Sequence, residues 1–262
     1  MLPAGAEIAA QGVMLAQKQM YFAANNAAGA NNIAGKKMTL VTTDLFYTEM
    51  PGVGVEFTDP IPASYPQQGH GSRVQGVAYD FTQGDFKNTK QPLDVAINGL
   101  GFMGVTLPDG TKAYTRAGNL LVNKNRYITT RQGLLIDGLS QIPTNVDINT
   151  IKIDVYGNVT ALASDNITVQ NFGTISLYTF DDVEGLKMLG NSLYQETDLS
   201  GTAQQVAAAT YGSGEFQQGY LEQSNVNIMN EITNVTAAQL SWQLSYKIYN
   251  IICDTSKELT KA

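Results

Sequence analysis

All eight prolines of this chain lie between Pro3 and Pro143, and its last glycine is Gly219. Residues 220 to 262 therefore hold neither strong helix breaker. Within that stretch Ile228, Ile232, Val235, Gln239, Trp242, Tyr246, Tyr249 and Cys253 alternate spacings of four and three. The spacing predicts a helix with a heptad-like seam and one polar seam position, Gln239. Leu240, Leu244, Ile248 and Ile251 form a second apolar line beside it. A helix apolar on more than one face must be covered on more than one side. At ~1.5 Å per residue such a helix reaches roughly 50 Å, too long for one small domain to bury.

The opposite end repeats the pattern. Ala9, Val13, Ala16, Met20 and Ala23 keep the three-four spacing, with Ile8, Leu15 and Phe22 on a neighbouring line. Small residues at such positions allow close helix approach. Pro3 fits a first-turn position, and Gly29, Asn31, Asn32 and Gly35 end the helix near residue 30.

Between the ends the pattern is β. Leu93–Ile97, Phe102–Leu107, Lys112–Arg116, Leu120–Val122, Tyr127–Thr130 and Leu134–Ile136 read as short strands, with Pro108-Asp109-Gly110 as a turn. Ile151–Val155 alternates in period two and turns at Tyr156-Gly157-Asn158; Ile167–Val169 and Thr174–Phe180 continue the series. Many short strands with frequent turns indicate an antiparallel meander, not βαβ units. The expected fold is α+β: long N- and C-terminal helices forming a coiled-coil-like layer, with an inserted, mainly antiparallel β domain. The expected boundaries are a helix over 1–30, an extended linker over 31–75 (Pro51, Pro60, Pro62 and Pro66), a β-rich domain over 76–197, a return linker over 198–224 and a helix over 225–262.

Composition excludes several functions. Charged residues supply 15% of the chain against a usual ~25%. The net charge of -7 speaks against a nucleic-acid partner. Cys253 is the single cysteine and His70 the single histidine, so neither a disulfide framework nor a Cys/His zinc cage is available. The first residues lack the basic and apolar regions of a cleaved signal peptide, so the expectation is residence in the cytoplasm or exit by another route.

Gly99-Leu100-Gly101-Phe102-Met103-Gly104 matches a dinucleotide-binding string. That site needs the loop to open a helix and an acid about 20 residues on. Here Val105-Thr106-Leu107 and a Pro-Asp-Gly turn follow instead, so Gly99, Gly101 and Phe102 read as a tight β turn. Asp181, Asp182 and Glu184 read as a solvated turn, His70 as an exposed loop residue, and Cys253 as a small buried hydrophobe on the helical seam. Trp242, Tyr246 and Tyr249 read as packing aromatics. No nucleophile, base and oxyanion set assembles, so no active site, cofactor or metal is expected.

The block Pro92 to Phe102, followed by Leu107-Pro108-Asp109-Gly110-Thr111 and Ala113-Tyr114-Thr115-Arg116-Ala117-Gly118, closely resembles the bacterial flagellar basal-body rod and hook proteins. Gly219 to Asn227 resembles that family where its last helix begins, and Ala24-Asn25-Asn26 resembles its amino-terminal signature. Where the family usually has Gly-Phe-Lys, this chain has Ala34-Gly35-Lys36. Gly69–Val74, Phe81–Gly84 and the length favour the distal-rod members; a hook or proximal-rod subunit is the alternative.

The resemblance implies a non-enzymatic, self-assembling subunit of a tubular helical rod, with the terminal helical layer inside and the β domain outside. That rod crosses the periplasm and transmits torque from motor to hook. It implies as partners further copies of the chain, proximal rod proteins, the hook protein, the surrounding bushing rings and the flagellar type III export apparatus. The residues expected to pack between subunits are Ile8, Val13, Leu15, Met20, Phe22, Asn25 and Asn26 near the start, and Ile228, Ile232, Val235, Gln239, Trp242, Tyr246 and Tyr249 near the end.

Overall fold

The computed structural model describes residues 4–49, 67–163 and 168–259. Pro3, the prolines Pro51, Pro60, Pro62 and Pro66, and Ile167 lie outside the described residues. The chain is α+β, with helix α1 (Ala4–Gly29), helix α2 (Ile228–Leu259) and many short strands between them. None of the described helices is long and apolar enough to cross a membrane.

The chain divides into two units. The first gathers the described parts of 1–28, 38–79 and 227–262. α1 and α2 run antiparallel in it: a Cβ placed on Gly5 would lie 3.3 Å from Ile252 Cδ1, and one on Gly12, two turns on, 3.0 Å from Ser245 Oγ. Ala6, Ala9, Ala16, Ala23 and Asn26 are buried along α1. Along α2, Glu231 and Ala238 are buried, and Val235, Trp242, Ser245, Tyr249, Ile252 and Ser256 are half-buried.

This α2 line also alternates four and three, but it is turned from the line of largest hydrophobes. Val235, Trp242 and Tyr249 belong to both; Ile228, Ile232, Gln239 and Tyr246 are exposed, and Cys253 is half-buried. Size decides the difference. A helix surfaced with alanine and glycine comes close enough to admit Ala238 and Ser245, whereas large side chains fit only where an alanine faces them. Strands Lys37–Asp44 and Ser72–Asp80 pair in the same unit, as do Tyr47–Glu49 and Gln67–Gly69. Part of the segment expected to be an extended linker is thus paired strand.

The second unit comprises 29–37 and 80–226. Its main sheet has nine strands, seven of them in the order Lys187–Gly190, Leu193–Gln195, Lys112–Thr115, Phe102–Thr106, Leu135–Ile136, Ile128–Thr129, Leu121–Val122. All pairings recorded in this unit are antiparallel. One core cluster includes Val95, Ile97, Met103, Val105, Ile142, Val159, Phe172 and Phe216. A second is aromatic, with Phe102, Tyr114 and Tyr194 buried and Phe81, Tyr178 and Phe180 packed against them. Residues 198–224, expected to be a return linker, carry strands Gln204–Val206, Glu215–Gln218 and Tyr220–Glu222, paired respectively with Leu177–Thr179, Val95–Asn98 and Phe86–Asn88. Strands of three and four residues rich in glutamine have too little apolar alternation to register as strand in sequence.

Candidate functional site

Two polar constructions and one apolar surface stand out, each within a single unit. The first lies in the β-rich unit. Pairing of Tyr220–Glu222 with Phe86–Asn88 carries Glu222 into the interior, where its side chain is fully enclosed. Its Oε1 accepts from Lys36 Nζ at 2.7 Å and from the Gly84 N–H at 3.2 Å, and its Oε2 accepts from Arg116 Nε at 2.9 Å. Lys36 also donates to the Thr82 carbonyl at 2.7 Å. Burial pushes the Lys36 ammonium below its ordinary pKa, against the opposing pull of the Glu222 carboxylate.

Arg116 explains the glycine string. Its Nη1 donates to Gly101 O at 3.0 Å, and its Nη2 to Gly99 O at 2.9 Å and Ile97 O at 3.2 Å. The guanidinium carbon stands 5.7 Å from the Phe102 ring centroid. Gly99 and Gly101 have φ of +111° and +128°, which turns their carbonyls inward, and strand Phe102–Thr106 follows without a helix. A phosphate loop presents backbone N–H groups to an anion; this loop presents carbonyls to a cation, and that cation is the chain's own. The Pro108-Asp109-Gly110 turn closes the next hairpin: Gly110 N–H donates to Leu107 O at 2.9 Å, and Asp109 Oδ1 accepts from Thr111 N at 3.0 Å.

The second construction lies in the helical unit. Asn26 is buried and pairs with the Met38 backbone as a strand would, with Nδ2 donating to Met38 O at 2.8 Å and Oδ1 accepting from Met38 N at 2.9 Å. Its Nδ2 also reaches Glu231 Oε2 at 3.4 Å. One amide thus joins the end of α1, the start of a strand and the first turn of α2. Asn227 caps α2, its Oδ1 accepting from Met229 N at 3.0 Å and Asn230 N at 3.3 Å. Asn25, next to Asn26 in the chain, is exposed.

The apolar surface belongs to α2. Ile228 and Ile232 on one line of the helix, and Leu240, Leu244, Ile248 and Ile251 on the other, are 45–58% exposed. Trp242 and Tyr246 stack at 5.5 Å between ring centroids. On α1, Ile8, Val13, Leu15, Met20 and Phe22 are half-buried. A Cβ on Gly71 would lie 2.5 Å from Gln11 Oε1 and 3.6 Å from Ile8 Cγ2, which sets that side of α1 close to the strand turn.

Sequence reasoning singled out Asn26, the glycine turn and the α2 hydrophobes; Asn26, expected to pack between subunits, is enclosed within the chain by Met38 and Glu231. It did not single out Lys36, Arg116, Glu222 and Glu231. The available signal was their setting: charged residues inside glycine-rich or apolar strings of a charge-poor chain.

Comparison with known proteins gives the class first. Residues 96–161 match the family described as flagellar hook protein FlgE/F/G D1 domain. Residues 217–260 match the flagellar basal body rod FlgEFG protein C-terminal family. Flagellar basal-body rod protein FlgG of Buchnera aphidicola is 34% identical over 243 residues, covering 92% of each chain. FlgG of Caulobacter vibrioides is 33% identical with 92% of each chain covered, and FlgG of Borreliella burgdorferi 32% with 91% of each. The chain belongs to the FlgG family of flagellar basal-body rod proteins.

Proposed function

We propose that this chain is a structural, non-enzymatic subunit of the flagellar distal rod, polymerising with copies of itself into a tubular helical shaft that carries torque from motor to hook. The observation that carries the assembly is the exposed apolar surface of α2, six large aliphatic residues about half exposed on two lines of one helix. Covering the remaining half of each is worth about 1 kcal/mol at ~25 cal/mol per Å², so association supplies several kcal/mol along one helix. In the polymer, α1 and α2 of neighbouring subunits form a coiled-coil-like layer built on Ile228, Ile232, Gln239 and Tyr246 outside the pair and Val235, Trp242 and Tyr249 within it. Family membership extends the proposal to proximal rod proteins, the hook protein, the bushing rings and the type III export apparatus as partners, and to the periplasm-spanning rod as location.

Ile232→Asp tests this reading. The residue is exposed, so the isolated chain should keep its circular dichroism spectrum and melting temperature while losing polymerisation by sedimentation and electron microscopy. Wild-type polymer growth by this variant refutes the role of that surface. Electron microscopy of purified basal bodies, with the chain tagged, places it along the shaft.

A further inference from the structure

The seven-strand path of the main sheet has two edges, Lys187–Gly190 and Leu121–Val122, separated by six strand spacings. At about 4.8 Å each these amount to roughly 29 Å. The edges carry opposite charge. At the first, Asp181, Asp182 and Glu184 lead into the strand, and Glu196 and Asp198 follow its partner strand; all five are exposed. They are held together by Thr197 Oγ1 donating to Gly185 O at 2.6 Å and Gln204 Nε2 to Asp181 Oδ1 at 3.2 Å. Lys187 is the cation among them. At the second edge, exposed Lys124 and Arg131 top the two hairpins on either side of Ile128–Thr129. Arg126 adds charge there while donating to Val146 O at 2.7 Å. The nearby acids Asp109 and Asp147 accept hydrogen bonds in their own turns and keep their charge, so Lys124, Arg126 and Arg131 outnumber them by one. Each edge also exposes leucine: Leu189 and Leu199 at the acidic one, Leu121 and Leu135 at the basic one.

We infer that these edges are the two halves of one contact between copies of this chain, the acidic edge of one copy facing the basic edge of the next. The inference deepens the polymer reading and rests on it. Within one copy the two groups stand several screening lengths apart, at ~8 Å each in physiological salt, so they do not neutralise each other. Charge on an edge strand commonly keeps copies apart. For that purpose one sign on both edges would serve better, whereas opposite signs attract. A head-to-tail contact of this kind repeats without closing, as a helical polymer requires.

Two full-length variants test it by sedimentation velocity at low salt. Lys124→Glu with Arg131→Glu makes both edges acidic; Glu184→Lys with Asp198→Lys leaves the first edge without net charge and the second basic. Each alone should associate at least about tenfold more weakly than wild type, and their equimolar mixture should regain association within about threefold, because each supplies the edge the other lacks. Circular dichroism checks that each variant is folded. Variants that associate like wild type, or a mixture no tighter than its components, overturn the contact and leave the α2 reading standing. A monomeric wild type counts against the polymer reading and, because it carries both edges, against the contact as well.

Discussion

Replacing Glu222 by glutamine removes one charge from an enclosed group and little volume. The carboxylate takes bonds from Lys36, Arg116 and Gly84. After the change Arg116 keeps three backbone carbonyls and Lys36 keeps the Thr82 carbonyl, but two buried cations face each other with no anion between them. Breaking a buried ion pair from one side costs about 3–5 kcal/mol. That is a fifth or more of a stability of order 5–15 kcal/mol. At about 2–4 °C per kcal/mol for a domain of this size, the melting temperature should fall by roughly 10 °C, followed by near-ultraviolet circular dichroism. Adding Lys36→Met to Glu222→Gln removes one of the stranded cations and should recover part of the loss. A fall of less than about 3 °C for Glu222→Gln, or a double variant less stable than the single one, would refute the view that this carboxylate holds the cluster together.

Other outcomes follow from the same geometry. Asn26→Ala strips the half-buried Met38 N–H and carbonyl of their partner and should cost about 1–3 kcal/mol, with faster amide exchange at Met38 as the direct readout. Gly118→Ala would set a Cβ 1.5 Å from Val95 O, so the β-rich unit should fail to fold, seen as insoluble expression. Lys36 binds its proton less tightly in the fold than in the unfolded chain, so over the alkaline range just below its ordinary pKa the unfolded state holds more protons and stability rises with pH. Lys36→Met should flatten that rise in urea titrations. The monomer's α2 should exchange its amides faster than the same helix in polymer; equal protection in both states contradicts the subunit-packing role.

Much of the fold was legible because its periods are strong. The three-four spacing in 225–262 is 32 residues of helix in the structure, and the meander between Leu93 and Phe180 reads directly from alternation and turns. The β turn at Gly99 was legible too, since Val105 and Pro108 leave no room for a helix. The buried cluster was not, because its members stand 80 and more positions apart and ion pairing leaves no period. Which side of α2 meets α1 was hidden for another reason. Hydrophobicity marks every face that is covered somewhere, inside the chain or by a neighbour, and does not distinguish the two. Ala34 shows a related limit: its φ of +50° is a glycine conformation at the position where the family pattern has glycine, and its N–H donates to Glu222 O at 2.9 Å.

The helix pair has a consequence for register. On α1, Ala9, Ala16 and Ala23 recur every seven residues; on α2, Tyr249, Trp242 and Val235 do the same in the opposite direction. The antiparallel register brings these two series level, small against large. A pattern with that repeat looks the same after a slip of seven, so packing alone leaves two alignments nearly degenerate. Asn26 against Glu231 breaks the tie, because a slip would strand a buried amide and a buried carboxylate among apolar neighbours. Whenever these helices separate and meet again, that one polar contact tells them where to stop.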